Sequence, residues 1–289
     1  WGEQRTPPPP ATCNSGEPDM SLTANRTGNR FHRDELDAVL RPLEEATNLP
    51  PAVYVDPRVW ELDTREVFRR MWLCVGRHED LPEAGSFFTR VIDDQNVLVT
   101  RGPDGEVRAF HNVCRHRGSC LVERDKGKAK AFRCNYHAWT YDTRGDLVAA
   151  PMMEERPGFS AQDWPLTPVR CDSWGGFLFL NLDDDAPPLA ESMADFPNLD
   201  RYRLDTLRRA HRVVYEVDSN WKILCENYSE CYHCALVHPQ LNRVSDYRSG
   251  GRSIVGSCYN GGPMELNDGM RTMSLTGGSS FPPIEGLDG

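Results

Sequence analysis

The sequence predicts an α+β protein, in which an all-β sandwich precedes a domain that contains helices. Between residues 72 and 182, short apolar or alternating runs recur with turn residues between them, which is typical of a small antiparallel sandwich. Farther on, residues 210–217 are predicted as a strand and residues 223–237 as a helix. The acidic, proline-containing run at 183–188 separates the two patterns, so we place a domain boundary after residue 185.

Two segments precede the predicted sandwich. Residues 1–19 are rich in proline and poor in apolar residues, so we expect them to be disordered. We expect translation to begin at Met20 and the residues before it to be upstream sequence or an artefact. Residues 20–71 are predicted as a helical lead-in. One helix is predicted from Phe31 to about Pro42, and a second from Asp63, which has capping-box spacing to Glu66.

The predicted first domain covers residues 72–185 and the second covers residues 186–289. In the first, strands are predicted at 72–75, 87–92, 97–100, 107–113, 139–141 and 177–182. Turns are predicted at 102–105 and 144–145, where glycine follows polar residues or proline.

Composition excludes several classes of protein. The net charge of −10 argues against a nucleic-acid partner, because phosphate binding requires a basic surface. No apolar run approaches the length that a membrane-spanning helix needs, so no membrane partner is expected. The chain has 10 cysteines but no apolar signal-peptide region, which favours a reducing, cytoplasmic compartment over a disulfide framework.

Two Cys-His pairs dominate the first domain. Cys114 and His116 form one pair, and Cys134 and His137 form the other. Two thiolates and two imidazoles can hold a Rieske [2Fe-2S] cluster, in which one iron takes Cys ligands and the other takes His ligands. Structural zinc accepts the same four atoms and is the alternative. Zinc ligands usually come as a Cys pair and a His pair, whereas each half here supplies one of each, which favours the cluster.

A second concentration of metal ligands lies in the predicted helix of the second domain. Glu230 and His233 are three residues apart, so a helix would present them on one face. His238 follows five residues later, which requires a π-bulge or a helix end between the histidines, and Pro239 favours the helix end. Two His and a carboxylate form the facial triad of non-haem Fe(II) oxygenases.

Two other interpretations of this second stretch remain. A solitary His on a helix is more often an ordinary surface or core residue than a ligand. Cys231 and Cys234 form a Cys-x-x-Cys motif, which is compatible with a redox pair or half of a zinc site, although no partner half is apparent nearby.

In these motifs the chain resembles the α subunit of Rieske non-haem iron oxygenases, also called ring-hydroxylating oxygenases. The resemblance covers roughly residues 54–245 and rests on residues 114–118, 134–139 and 220–238. It implies a Rieske domain followed by a partial helix-grip (START-like) catalytic domain. It also implies a set of ligands and partner residues: Cys114, His116, Cys134 and His137 at the cluster, His233 and His238 at the mononuclear Fe(II), and Glu230 as the carboxylate that bridges to a cluster His of the neighbouring subunit of a homotrimer.

Three features of the chain bear on how closely it follows the family. The family places its third iron ligand, an Asp or Glu, on a late helix, whereas only 51 residues (289 minus 238) follow His238 here, so we expect an incomplete catalytic domain. The family usually has Gly where Ala138 stands. Cys120 lacks the partner cysteine found in respiratory Rieske proteins, so the cluster is expected to be of the lower-potential type.

The expected function is that of an oxygenase α subunit. Electrons from an NAD(P)H-dependent reductase, with or without a ferredoxin, would reach the [2Fe-2S] cluster and then Fe(II), which activates O2 to hydroxylate a small organic substrate. The residues around His233 resemble members that N-demethylate quaternary ammonium compounds. The alternatives are an aromatic-ring dioxygenase, a Rieske-type electron carrier without its own active site, and a zinc-stabilised binding module.

Overall fold

The structure is a computed structural model that describes residues 33–42, 44–153, 155–250, 254–256, 259–282 and 284. The predictions for residues 1–19 and for Met20 therefore lie outside the described residues. Among the described residues, no helix combines the length and the apolar character needed to cross a membrane.

The lead-in forms three short helices. Helix α1 (Arg33–Val39) ends before Pro42, as predicted. The predicted helix start at Asp63 is wrong, since α2 (Ala52–Val55) and α3 (Pro57–Asp63) come earlier and α3 continues as one π-helical turn (Thr64–Phe68). Asp56 caps α3 by accepting from the Arg58 N–H at 3.0 Å. An Asp cap followed by Pro at the first helical position is the stronger start signal.

The first domain is built from short strands. Their bounds are β1 (Leu73–Arg77), β2 (Ser86–Ile92), β3 (Gln95–Arg101), β4 (Val107–His111), β5 (Lys126–Lys128), β6 (Ala131–Arg133), β7 (Thr140–Asp142), β8 (Leu147–Ala149), β9 (Pro168–Trp174) and β10 (Phe177–Asn181). All six predicted strands form. Strands β5, β6, β8 and β9 were not predicted, because three of them span only three residues and β9 begins with proline and includes three polar residues.

These strands form two antiparallel sheets. The larger has the order β1-β10-β9-β4-β3-β2-β5, and the smaller has the order β6-β7-β8. Successive side chains of a strand point to opposite faces, so Phe87 and Phe88 of β2 enter different apolar clusters. The cluster containing Phe87 also contains Leu98, Phe110, Cys114, Phe132, Cys134, Trp139 and Tyr141. A rigid core therefore lies directly beneath the Cys-His loops.

The second part of the chain has smaller elements. They are α4 (Leu189–Ser192), α5 (Trp221–Tyr228), α6 (Cys234–Val237), α7 (Pro239–Val244), β11 (Ile254–Val255) and β12 (Asn260–Gly261). The strand prediction for residues 210–217 is wrong, because the segment has no regular structure and pairs with no strand in the described part of the chain. An extended segment becomes a strand only when a neighbour pairs with its backbone.

The predicted helix at 223–237 is also interrupted. Helix α5 ends at Tyr228, where the Ser229 hydroxyl donates to the Cys225 carbonyl at 2.7 Å, and α6 begins only at Cys234. Serine side chains compete in this way with helical backbone hydrogen bonds.

Candidate functional site

The two Cys-His loops share one backbone conformation. In each, the N–H four residues after the cysteine donates to the cysteine carbonyl, from Gly118 to Cys114 at 3.0 Å and from Ala138 to Cys134 at 3.1 Å. Each cysteine N–H donates to the carbonyl five residues later, at 2.8 Å in both loops. Gly118 (φ 71°) and Ala138 (φ 61°) both lie in the left-handed region. The two loops, which follow β4 and β6, are therefore equivalent in conformation.

The loops bring the four predicted cluster ligands together. The rings of His116 and His137 lie with their centroids 4.6 Å apart. Cys114 and Cys134 are both buried and belong to the same apolar cluster. His137 is exposed while both cysteines face the core, so the His end of the site lies nearer to solvent.

The two sulfurs lie in different electrostatic environments. Burial raises the pKa of Cys114 despite a hydrogen bond from the His116 N–H. At Cys134 burial also acts to raise the pKa, but hydrogen bonds from the N–H groups of Tyr136 and His137 help to lower it overall. Amides directed at sulfur stabilise a thiolate, which is the form that binds iron.

His116 provides a test of whether these residues fit the cluster. Its Nδ1 is buried and has no hydrogen-bond partner among the described residues, while its ring stacks on Trp139 with the centroids 4.9 Å apart. Burial, with the nearby charges of His137 and Arg117, lowers the pKa of His116, which favours the neutral imidazole that binds metal. Leaving a buried polar atom unpaired costs about 1–3 kcal/mol. Coordination to iron would satisfy this nitrogen, so the residues fit a Rieske cluster.

The second predicted site contains His233 and His238. Their ring centroids lie 5.2 Å apart in an edge-on arrangement. His233 precedes α6, and His238 lies at the break between α6 and α7, which confirms the predicted helix end before Pro239. The prediction that Glu230 and His233 share one helical face is wrong, because Glu230 lies in the turn after α5.

Glu230 nevertheless contacts the predicted iron ligand. Its Oε1 lies 2.6 Å from the His233 Nδ1, and its Oε2 accepts from the Tyr232 N–H. The hydrogen bond to His233 is the main reason that the pKa of Glu230 is lowered. With Nδ1 engaged, the Nε2 of His233 is the nitrogen left for a metal, and a carboxylate on the far side of a metal-binding His is a common arrangement.

A complete mononuclear ligand set does not assemble in the described part of the chain. There, no three His, Cys, Asp or Glu side chains are placed to hold one metal ion. Glu265 and Asp268 follow His238 but do not join the two histidines in such a group, and Glu285 and Asp288 lie outside the described residues. A Rieske cluster differs in requiring only two protein ligands on each iron.

The remaining cysteines form no disulfide among the described residues. Cys120 is among these free cysteines. In the Cys-x-x-Cys motif, the Cys231 thiol donates to the Met264 sulfur at 3.6 Å, and Cys234 is buried.

Two polar residues, Tyr141 and Asp63, were not identified from the sequence as part of the candidate sites. The Tyr141 hydroxyl lies 3.7 Å from the Cys114 Sγ and accepts from the Arg115 N–H at 3.1 Å. The carboxylate of Asp63 pairs with Lys222 of α5. Strand alternation places Tyr141 beside Trp139 on one face, which was the available signal for Tyr141. Nothing local to residue 63 indicates a partner 159 positions away.

Comparison with known proteins gives two family matches. Residues 71–167 match the Rieske [2Fe-2S] domain, and residues 204–288 match the catalytic domain of the ring-hydroxylating α subunit. A glycine betaine monooxygenase oxygenase subunit of Pseudomonas aeruginosa is 37% identical over 204 residues, covering 70% of this chain and 47% of the relative. The biphenyl 2,3-dioxygenase α subunit of Rhodococcus jostii is 34% identical over 197 residues, covering 66% of this chain and 43% of the relative.

A solved structure is similar as well. It is a quaternary ammonium Rieske monooxygenase described for carnitine oxidation by gut microbiota and for inter-subunit electron transfer. It has a TM-score of 0.66 and 29% identity, and the match covers 73% of this chain and 58% of that one. The chain spans about half the length of the curated relatives it matches.

Proposed function

Because the chain belongs to the family of Rieske non-haem iron oxygenase α subunits, we propose that it acts in an oxygenase that hydroxylates a small organic substrate with O2. The observation that carries the proposal is the convergence of two equivalent Cys-His loops. The His116 and His137 rings lie 4.6 Å apart, and a buried nitrogen of His116 has no partner in the part of the chain that the structure describes. We propose that residues 72–185 form the cluster domain and that residues 186–289 belong to the catalytic domain.

Each ligand has a proposed role in holding a metal. Cys114 and Cys134 would hold one iron of the [2Fe-2S] cluster, and His116 and His137 would hold the other. His233 and His238 would hold the mononuclear Fe(II). When bound, the cluster supplies single electrons and the Fe(II) supplies the site of O2 activation.

Glu230 is proposed to orient the mononuclear site and to couple it to the cluster of another subunit. Its hydrogen bond to Nδ1 leaves Nε2 of His233, which lies 4.0 Å from the Cys234 Sγ, as the nitrogen for a metal. Its side chain is also 45% exposed, so it can accept from an imidazole on a neighbouring subunit. We propose a homotrimer on this basis, supported by the inter-subunit electron transfer described for the similar quaternary ammonium monooxygenase. An NAD(P)H-dependent reductase, with or without a ferredoxin, is the proposed electron source.

For the substrate we propose a quaternary ammonium compound that is N-demethylated. The glycine betaine and carnitine enzymes among the relatives support this class. The biphenyl dioxygenase match supports the alternative of an arene substrate. A cytoplasmic location is also proposed, supported by the eight described cysteines all being free.

The test uses protein expressed from its complete reading frame with its reductase. We expect O2-dependent release of formaldehyde from glycine betaine or carnitine. Formation of a cis-diol from an arene without formaldehyde release would contradict the substrate class.

A His variant separates the enzyme from an electron carrier. We expect His233→Ala to abolish turnover while the visible spectrum of the cluster is unchanged. His211→Ala is the matched control, because His211 is exposed and lies outside both sites. Turnover that survives His233→Ala would refute the mononuclear site, and zinc without acid-labile sulfide would refute the cluster.

A further inference from the structure

The helix that leads to Glu230 and His233 is held by the distant lead-in. The side-chain amide of Asn220, the cap of α5, donates to the Tyr54 carbonyl at 2.9 Å. The Tyr54 hydroxyl donates to Glu226 Oε1, in the second turn of α5, at 2.6 Å. Burial, followed by this hydrogen bond, raises the pKa of Tyr54 to about 12. Two contacts therefore tie α2 to the N-cap and to the second turn of α5.

Asp63 makes a further connection between the lead-in and α5. It is a buried carboxylate, 7% exposed, at the end of α3. It forms an ion pair with the Lys222 ammonium and accepts from the Trp221 indole N–H at 3.2 Å. The Trp221 ring packs edge-on against Phe68 with centroids 5.4 Å apart. One carboxylate thus fixes the first two residues of α5.

Helix α5 has little other support. It contains only eight residues, and its apolar residues Ile223 and Leu224 are 44% and 42% exposed. An isolated helix of this length is unstable in water, so its position depends on tertiary contacts. The Ser229 N–H, which caps its C-terminal end, donates to the Glu226 carbonyl at 3.0 Å, and Glu230 is the next residue. A displacement of α5 would therefore move Glu230 and, through its hydrogen bond, the ring of His233.

We propose that Asp63 is a positioning residue for the mononuclear iron site. By anchoring Lys222 and Trp221, it sets the place of α5 and hence the hydrogen bond between Glu230 and His233. The inference rests on the proposed function, because it assumes that His233 binds Fe(II). It assigns to the lead-in a role in the active site rather than only in folding.

The test measures Fe(II) affinity and cluster integrity separately, on protein from its complete reading frame. Fe(II) binding is followed by the electron paramagnetic resonance of its nitric oxide adduct, and the cluster by its visible spectrum. For Asp63→Asn we expect a roughly 10-fold loss of Fe(II) affinity, which is the scale for a residue that orients a metal ligand. The cluster spectrum is expected to be unchanged.

Three further variants make the test specific. Lys222→Met should lower the Fe(II) affinity alone, whereas Asp63→Asn/Lys222→Met should recover part of it, because no buried charge is then unpaired. Asp56→Asn is the matched control, since Asp56 is also buried in the lead-in and asparagine is an equally good helix cap. It should leave the Fe(II) affinity unchanged.

The outcomes separate this inference from the proposed function. Wild-type Fe(II) affinity in both Asp63→Asn and Lys222→Met would overturn the role of Asp63 and leave the iron site intact. Parallel loss of the cluster and of Fe(II) would also overturn it, because it would show general destabilisation. If the wild-type protein itself bound no Fe(II), the mononuclear site and the inference would both be refuted.

Discussion

The cluster loops and the turn that carries the mononuclear histidines are supported in opposite ways. Beneath the cluster loops, Trp139 and Tyr141 are 2% and 0% exposed and belong to a continuous apolar core. Around the histidines, Tyr232 and Leu236 are 89% and 90% exposed. The first site is therefore fixed by packing, whereas the second relies on hydrogen bonds and on contacts with other segments.

The difference follows from where the supporting residues lie in the sequence. Both Cys-His pairs, the stacking Trp139 and the hydrogen-bonding Tyr141 occur within residues 114–141. The support of α5 comes from Tyr54 and Asp63, which are 172 and 159 positions from their partners. A site built from neighbouring residues assembles with its own domain, whereas a site built from distant segments needs both segments in place.

The largest expected effect comes from a pair of leucine truncations that compare the two regions. Leu98 is 0% exposed in the core under the cluster loops, whereas Leu224 of α5 is 42% exposed. We expect Leu98→Ala to lower the free energy of unfolding by about 2–5 kcal/mol, because it leaves a cavity. Leu224→Ala should cost less than about 1 kcal/mol. Urea unfolding followed by circular dichroism gives both values, and an equal cost at the two positions would contradict the comparison.

Tyr141→Phe examines the polar contact within the packed region. The change removes the hydroxyl 3.7 Å from the Cys114 sulfur and the acceptor of the Arg115 N–H. Hydrogen bonds to cluster sulfurs favour the reduced, more negative state, so the reduction potential should fall. If the lost bond is worth about 1 kcal/mol, the fall is roughly 40 mV for one electron. Redox titration of the cluster measures it, with Tyr136→Phe as control for an exposed tyrosine in the Cys134 loop.

Exchanging Ala and Gly at the two equivalent loop positions, 138 and 118, should have a smaller effect on the free energy of unfolding. Ala138 has φ 61°, where a residue with a Cβ is disfavoured, so Ala138→Gly should raise the free energy of unfolding by up to about 1 kcal/mol. Gly118 has φ 71°, and apart from its two chain neighbours no described residue has an atom within 4 Å of the position that a Cβ would occupy there. Gly118→Ala should therefore cost about 1 kcal/mol for conformational reasons alone.

Thermal unfolding of both variants measures this exchange. Ala131→Gly in strand β6 is the control, because glycine in a strand is expected to destabilise it. If Ala138→Gly and Ala131→Gly changed the midpoint of thermal unfolding in the same direction, the argument from the backbone conformation of Ala138 would be contradicted.

The same contrast explains what the sequence could predict. The cluster loops and the six main strands were predicted, because ligand spacing, alternation and turn residues are local signals. The predictions of a strand at 210–217 and of a continuous helix at 223–237 were wrong. Both elements depend on contacts with other residues that a local sequence pattern does not indicate. Ser229 ends α5 through a side-chain hydrogen bond to Cys225, and a strand at 210–217 would need a paired neighbour. Asp63 could not be identified, since its partners are far along the chain.

The smallest expected effect tests a link between the two sheets of the packed region. Asp104, in the turn between β3 and β4, accepts from Arg108 at 3.0 Å and lies 3.3 Å from Arg144 in the turn between β7 and β8. The hydrogen bond to Arg108 is the main cause that lowers the pKa of Asp104 to about 2. The folded pKa lies below the ordinary value of 3.8, so the ionised carboxylate stabilises the fold above that pH. This contribution is lost as the pH falls toward 2.

Asp104→Asn should therefore lower the midpoint of thermal unfolding at pH 7 by less than any change above, because the pair is exposed to solvent and screened by salt. The difference from wild type should shrink steadily between pH 4 and pH 2. Glu191→Gln, an exposed carboxylate on α4, is the control and should show no such trend. A difference that stayed constant down to pH 2 would mean that Asp104 contributes through the shape of its turn rather than through its charge.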